Sequence, residues 1–257
     1  MSNKRIPIII YSKEKARFIT THAVKPNGWC ILAGVVKQTE KPQGIPQYLY
    51  SDKELEELDQ YICEAFGDYQ NVFHEIASPD VHLDVCIVDP TEECPYYRLV
   101  TMGAGAYEMN IPEQWKHYEI EDAEYVICVP EDWNLNSSED SDYWPIRVLK
   151  ETARLPITCD TWLSYGHTAQ SDEEGSPYAP DVRFNSVVLN YAKNKDGEIC
   201  VKLSSGKVIN FYVLVPLYPE ELNYKMEHRA QALFELFEEK QIPYQVIDRN
   251  RKSAVQD

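Results

Sequence analysis

Three sets of side chains in this sequence are of types that could do chemistry. The first is His74, His82 and Asp84, which offers two imidazoles and a carboxylate, a donor set typical of zinc and non-haem iron sites. His82 and Asp84 would share one face of a strand, because side chains two residues apart point the same way. Half-buried polar residues on the second face of a sheet account for the same spacing, and we therefore expect no metal and no cofactor.

The second set is Cys159, Asp160 and His167. A cysteine beside a histidine can act as a nucleophile, because the imidazole accepts the thiol proton. Nothing in the sequence places these two side chains together, so we expect no catalytic residues and no enzyme. A hydrolase-like or metal-dependent enzyme that uses the pairs His82/Asp84 and Asp160/His167 stays open as an alternative.

The third set is the pair Gly103 and Gly105, which follows a predicted strand and faintly resembles a phosphate-binding loop. The segment lacks a third glycine and a lysine, and Pro112 interrupts any helix that would follow. We interpret it as a flexible connection. The sequence also holds no Walker, dinucleotide-binding, HExxH, GxSxG or EF-hand motif.

Acidic residues dominate the charged positions of the chain. The 257 residues include 25 Lys and Arg against 42 Asp and Glu, a formal net charge of −17. Such a surface repels phosphate backbones and anionic lipids, so we expect neither nucleic acid nor a membrane as partner. Residues 108–142 hold eleven acids and one base. A solvated face that keeps the protein soluble explains this equally well.

The functional interpretation of this charge is a negative face that attracts a basic protein partner. Seven residues are the predicted contacts: Glu119, Glu121, Asp122, Glu124, Glu139, Asp140 and Asp142.

The cysteines and the hydropathy pattern indicate a cytoplasmic protein. Seven cysteines are scattered without a CxxC pair, and most lie among apolar residues, which suits a reducing compartment. No apolar run approaches the length of a membrane span.

The elements that would position these side chains follow from periodicity and turn residues. Ser51 and Glu54 form a capping-box pattern for a helix that Gly67 ends. Two more helices are predicted at 145–155, between two prolines, and at 227–240. The predicted strands are 81–88 with one face in the core, 97–102, 124–130, 185–191, 199–203, 207–215 and 244–247.

These elements predict an α+β fold with a mostly antiparallel sheet flanked by helices. Hairpin turns at 194–197 and 204–206 predict an antiparallel meander of the strands they join. Residues 1–46 form an N-terminal extension with two possible strands, 6–11 and 29–36, and a linker at 41–46. Residues 47–257 form the main domain.

Several segments, taken together and in order, resemble the suppressor-of-fused family. The segments that carry the resemblance are HEIASPDVHLDV (74–85), YYRLVTMG (96–103), NIPEQW (110–115), VPEDW (129–133), YWPIRVLK (143–150), ARLP (153–156), DTWLSYGHT (160–168), VPLYPEEL (215–222) and IDRNR (247–251). An ordered set of this kind is far more specific than any single motif.

The resemblance implies one mixed domain that binds protein and has no known catalytic centre. The animal member that resembles this chain sequesters Gli transcription factors and has a second large domain and a longer segment after the NIPEQW motif. Stand-alone bacterial members are commonly proposed as immunity proteins that neutralise toxin domains.

We therefore expect a non-catalytic, cytoplasmic protein-binding module that sequesters or masks a basic protein partner, as an immunity protein against a toxin domain. Opposite charge would speed capture of a basic toxin. A regulator of a cytosolic protein unrelated to toxins stays open, because the sequence does not separate the two.

Overall fold

The computed structural model describes residues 46–75 and 80–256, together with the backbone of β1 (Trp29–Ile31). The other strands are β2 Tyr69–Phe73, β3 Asp84–Val88, β4 Tyr96–Met102, β5 Asp122–Pro130, β6 Thr168–Gln170, β7 Ser186–Tyr191, β8 Lys193–Asn194, β9 Gly197–Glu198, β10 Cys200–Lys202 and β11 Val208–Leu217. The helices are α1 Asp52–Phe66, α2 Asp140–Cys159 and α3 Pro219–Glu239, with short 3-10 segments at Ala104–Ala106 and Glu113–Tyr118.

A nine-stranded sheet forms the centre of the fold. Its order is β1-β6-β7-β11-β5-β4-β3-β2, and β10 pairs with the first part of β11. Within the described strands, the pairs β1–β6 and β11–β5 are parallel and the others are antiparallel. This confirms the predicted α+β class with a mostly antiparallel sheet.

Helices cover both faces of the sheet. α2 packs on one face, where Tyr125 and Ile127 of β5 join its core. On the other face α1 packs near Val126 and Cys128, and α3 packs near Val215. Residues on β5 alternate between these two cores, because successive side chains point to opposite faces.

The prediction of a strand at 81–88 with one core face is wrong in two respects. The strand begins at Asp84, and both of its faces are buried. Val85 joins the core under α2, while Cys86 and Val88 join the core under α1. The polar residues His82 and Asp84 indicate a solvent-exposed face, but a sheet that is covered on both sides has no such face here.

The N-terminus of α1 is formed by the predicted capping box. The Glu54 N–H donates to Ser51 Oγ at 3.3 Å, and the Ser51 N–H donates to Glu54 Oε2 at 2.8 Å. Gly67 ends the helix at φ 112°, and its N–H donates to the Cys63 carbonyl at 2.9 Å. The prediction for this helix is confirmed.

α2 is longer than the predicted helix at 145–155. It begins at Asp140 and runs through both Pro145 and Pro156 to Cys159. Each interior proline removes a backbone hydrogen bond, at a cost of about 3 kcal/mol. Burial of a continuous apolar face that includes Trp144 and Leu149 offsets that cost, which local rules do not count.

α3 also starts earlier than predicted, at Pro219 rather than at 227. Arg229 interrupts it with a φ of 73° and a ψ of 167°, so the predicted helix corresponds to the second half plus one turn. Leu222 and Lys225 in the first half are buried, and this burial extends the helix toward its N-terminus.

The predicted meander of three strands is wrong in its order. β11 pairs with β7 through residues 212–217 and with β10 through residues 208–210, so β7 and β10 lie end to end along one edge of β11. The turn at 194–197 joins only the short pair β8–β9. The predicted strand at 244–247 is wrong too, since that segment turns and makes one sheet-like bond, from the Ile247 N–H to the Cys128 carbonyl at 2.9 Å.

The predicted N-terminal strand at 6–11 lies outside the described residues. β1 falls inside the other predicted strand, 29–36, and pairs with β6 at the edge of the sheet. Among the described residues, no helix is long and apolar enough to cross a bilayer. The six cysteines whose side chains are described are free thiols.

The C-terminal segment is held by a buried ion pair. Arg251 Nη1 and Nη2 lie 2.7 and 2.6 Å from the two carboxylate oxygens of Glu221, and the side chains are 3% and 0% exposed. The Tyr218 hydroxyl donates to the Arg251 carbonyl at 2.5 Å. The same Glu221 also accepts from the Ala254 N–H at 2.9 Å, so this segment is held against α3.

The buried Arg251–Glu221 pair predicts that two neighbouring arginines contribute very differently to the free energy of unfolding. Arg251→Met leaves the Glu221 charge buried and unpaired, and we expect a loss of about 3–5 kcal/mol in the free energy of unfolding. Arg249→Met, at a side chain that is 26% exposed, is the matched control and is expected to cost about 1 kcal/mol. Urea denaturation measures both, and equal losses would contradict the assignment.

Candidate functional site

Glu124 is a predicted contact residue that the structure places in the core. It lies on the β5 face covered by α1, and it is 0% exposed. Its carboxylate accepts hydrogen bonds from the Tyr50 and Thr101 hydroxyls at 3.0 and 2.5 Å. The backbone N–H groups of residues 103–105 donate to the same carboxylate at 2.9, 3.2 and 3.1 Å. Glu124 therefore organises the interior and does not reach a partner.

The glycine segment after β4 is ordered around this carboxylate. Gly103 has a φ of 133°, and a Cβ there would lie 1.9 Å from the His82 carbonyl oxygen. A Cβ on Gly105 would lie 2.3 Å from the Tyr50 hydroxyl. The interpretation as a flexible connection is wrong. The turn has the N–H geometry of an anion-binding nest, and the protein's own carboxylate fills it.

A surface hollow of about 370 Å³ lies where β5 begins; we call it the acidic hollow. The charged side chains that line it are Glu108, Lys116, Glu119, Glu121, Asp122 and Lys207. Lys207 Nζ lies 2.7 Å from Asp122 Oδ1 and 3.2 Å from the Gly105 carbonyl oxygen. Lys202 Nζ lies 3.3 Å from Glu119 Oε1. These lysines offset part of the charge that the sequence concentrates here.

Two exposed aromatic rings lie next in the chain to Lys116 and Glu119, which line the acidic hollow. Trp115 and Tyr118 lie on the 3-10 segment that also carries Lys116, and they are 42% and 58% exposed. Their rings are stacked, with centroids 5.8 Å apart and planes inclined by 29°. Large, rigid rings at the surface are the residues that most often anchor protein–protein contacts. We call Trp115 and Tyr118 the aromatic pair.

The remaining predicted contacts lie elsewhere. Glu139 precedes α2, and Asp140 and Asp142 occupy its first turn, where carboxylates favour the helix dipole. Arg249 donates to Asp142 at 2.9 Å and to Asp181 at 2.5 Å. The hydrogen bond from Arg249 is the main cause that lowers the pKa of Asp142.

The structure therefore divides the predicted contacts into two groups. Asp122 begins β5 and Pro130 ends it, and at about 3.3 Å per residue the strand spans about 26 Å. Glu119, Glu121 and Asp122 lie at the first end, while the group at the start of α2 follows the second end. They do not form one face.

The first candidate chemical cluster does assemble. His74 Nδ1 lies 3.0 Å from Asp84 Oδ2, and His82 Nε2 lies 3.2 Å from Asp84 Oδ1. Each imidazole nitrogen thus faces the carboxylate rather than a shared cation position. Among the described residues, no group of three or more His, Cys, Asp or Glu side chains is arranged to hold a metal ion.

The second cluster has the wrong environment for nucleophilic catalysis. Burial raises the pKa of the Cys159 thiol, which disfavours the reactive thiolate. Burial also lowers the pKa of His167 to about 4, and its Nδ1 lies 3.3 Å from the Trp162 carbonyl oxygen. Asp160 ends α2 and accepts from Asn110 at 3.3 Å.

Sequence reasoning missed the aromatic pair and two lysines, Lys202 on β10 and Lys207 just before β11. Trp115 lies in the NIPEQW segment, but its exposure depends on the 3-10 conformation that follows Pro112. Lys202 and Lys207 lie more than 75 positions beyond the acids they pair with, so no local pattern reports these contacts.

The chain matches known proteins in sequence profile and in fold. The profile of the family described as Suppressor of fused protein (SUFU) matches residues 79–252, which confirms the resemblance seen in the sequence. No curated protein sequence matches the chain.

Three solved structures share the fold. A SUFU homolog from Neisseria gonorrhoeae has a TM-score of 0.56 at 17% identity, covering 79% of this chain and 98% of that one. A Sufu–Fu complex has a TM-score of 0.56 at 10% identity, covering 80% and 98%. Drosophila Suppressor of Fused has a TM-score of 0.51 at 9% identity, covering 82% of this chain and 54% of that one.

The hydrogen bonds to Glu124 predict that Glu124→Gln is costly. The amide would point a donor at N–H groups that need an acceptor, and we expect a loss of about 2–4 kcal/mol in the free energy of unfolding. Glu121→Gln at the nearby hollow is the control and should change it by less than about 0.5 kcal/mol. Urea denaturation at pH 7.5 compares them, and a near-neutral Glu124→Gln would show that the turn does not depend on the charge.

The buried His167 predicts a pH-dependent loss of stability in acid. Because its folded pKa is about 4, the unfolded chain binds the proton more tightly between about pH 4 and 6.5. Stability should therefore fall as pH drops through this window, by up to about 3 kcal/mol for this residue.

Thermal unfolding of wild type and His167→Gln from pH 4 to 8 measures this contribution as a difference between the two. The difference between the two should change through the window. A difference that stays constant across this pH range would contradict the burial.

Proposed function

The chain belongs to the suppressor of fused family, and we propose that it acts in the cytoplasm as a non-catalytic module that masks the active surface of a basic protein partner. The family fold supports protein binding in general, and one related solved structure is a Sufu–Fu complex. The specific role that we propose is that of an immunity protein against a toxin domain.

The aromatic pair beside the acidic hollow is the observation that carries the proposal. Trp115 and Tyr118 offer an apolar anchor that is 42% and 58% exposed. Glu119, which follows Tyr118 in the chain, and Glu121 line the acidic hollow and would attract a basic surface during approach. Aromatic anchors with a charged rim are the usual composition of a protein–protein contact.

The net charge of −17 supports a basic partner and a fast encounter. Long-range attraction between opposite charges raises association rates well above those of neutral pairs. An immunity protein must capture its toxin before damage occurs, so a charge-steered encounter suits the role. A regulator of another basic cytosolic protein would use the same surface, and the identity of the captured partner separates the two.

We expect affinity capture from the native cells to retain a stoichiometric basic protein at low salt and to release it as salt rises. Mass spectrometry identifies the partner. Expression of that partner alone should arrest growth, and co-expression with this chain should restore it. A partner that is harmless alone would contradict the immunity role, and capture without any partner would contradict masking.

Paired charge variants test which end of β5 makes the contact. Glu119→Gln with Glu121→Gln should slow association about 3- to 10-fold and flatten its salt dependence. Glu139→Gln with Asp140→Asn removes two negative charges at the other end of β5. Glu92→Gln with Glu93→Gln removes two negative charges from an exposed loop and is the control. Association rates are measured by stopped-flow fluorescence with the captured partner. Equal rates for all three pairs would overturn the assignment to the acidic hollow.

A further inference from the structure

A pocket of about 350 Å³ opens between α1 and the Gly103 turn. Leu49, Leu55 and Met102 form its apolar walls. Leu49 is 53% exposed and Leu55 is 37% exposed, although both are large apolar side chains. Exposed apolar residues at the rim of a concave site mark a place that another molecule covers.

The carboxylates of this pocket favour a cation. Glu56, Asp59 and Asp84 line it together with His82, whose Nε2 lies 3.2 Å from Asp84 Oδ1, and among the described residues no lysine or arginine lines it. The acidic hollow, by contrast, has Lys116 and Lys207 among its lining residues. Glu56 and Asp59 therefore line the pocket without a lysine or arginine among its described lining residues.

Two of these carboxylates are fixed in place by internal hydrogen bonds. Asp84 accepts from the Glu75 N–H at 3.2 Å and lies against His74 and His82. Asp59 accepts from the Tyr69 hydroxyl. A carboxylate whose position is already fixed needs little reordering when a charged group arrives.

We propose that this pocket binds one lysine or arginine side chain of the protein partner. The apolar walls would contact the aliphatic stem, and the carboxylates would meet the cationic head, as these amphipathic side chains require. The assignment rests on the proposed function and adds a defined anchor to it.

The position of the pocket agrees with this role. Gly103 lines the pocket, while the Gly105 carbonyl accepts from Lys207 of the acidic hollow at 3.2 Å. The two depressions therefore lie on either side of one short turn. A single basic segment could reach both.

The probes are three blocked tripeptides, acetyl-Gly-X-Gly-amide, in which X is lysine, arginine or norleucine. Norleucine keeps the aliphatic stem and lacks the charge. They are titrated into the full-length ¹⁵N-labelled protein at pH 8. Saturable shifts of the Met102 and Gly103 amides are expected for both cationic peptides, with binding about 5- to 10-fold tighter than for the norleucine peptide.

The variant Glu56→Gln with Asp59→Asn removes two pocket charges. The amide oxygen introduced by Asp59→Asn would still accept from the Tyr69 hydroxyl, so the fold should be retained. The control Glu64→Gln with Asp68→Asn removes two charges outside the pocket. The preference for the cationic peptides should fall below about twofold in the first variant and stay in the control.

Equal binding of the norleucine peptide, or shifts spread over the whole acidic surface, would overturn the pocket assignment. The proposed function would still stand if the captured partner binds and responds to charge variants of the acidic hollow. If the peptides bind as expected but no partner is captured, the pocket assignment stands and the masking role fails.

Discussion

The buried Glu124 carboxylate is the contact on which the rest of the candidate surface depends. It connects Tyr50, two residues before α1, with the end of β4 and the turn that follows, because each of them donates hydrogen bonds to it. An unpaired buried charge is very costly, so these elements are held together. The Gly103 turn also forms a wall of the pocket. Its Gly105 carbonyl accepts a hydrogen bond from Lys207, which lines the acidic hollow.

The buried Arg251–Glu221 pair holds the far side of the domain in a similar way. It ties the chain end to α3 and to the end of β11, with the guanidinium packed over the rings of Tyr218 and Phe184. The Glu124 carboxylate and the Arg251–Glu221 pair thus hold together two separate parts of the domain. The acidic hollow and the pocket both lie beside the turn that Glu124 orders.

The charges of the candidate surface are distributed differently in the structure than along the sequence. Residues 108–142 form one acidic segment of the sequence. In the structure, β5 runs through this segment and separates the acids before it from those after it by about 26 Å. Lys202 and Lys207 then approach the first end from distant parts of the chain. The pocket that no described lysine or arginine lines takes its acids from α1 and β3, outside that segment.

The sequence by itself determined the fold class, the capped helix α1 and most strands of the sheet, because periodicity, caps and turns are local signals. The family followed from the resemblance of an ordered set of segments. Tertiary structure alone decided which acids face solvent, since Glu124 and Glu119 are alike in sequence and opposite in burial. It also decided the full lengths of α2 and α3 and the pairing of β7 with β11, where packing outweighs local preference. The physical reason is that burial and long-range pairing depend on contacts between residues far apart in the chain.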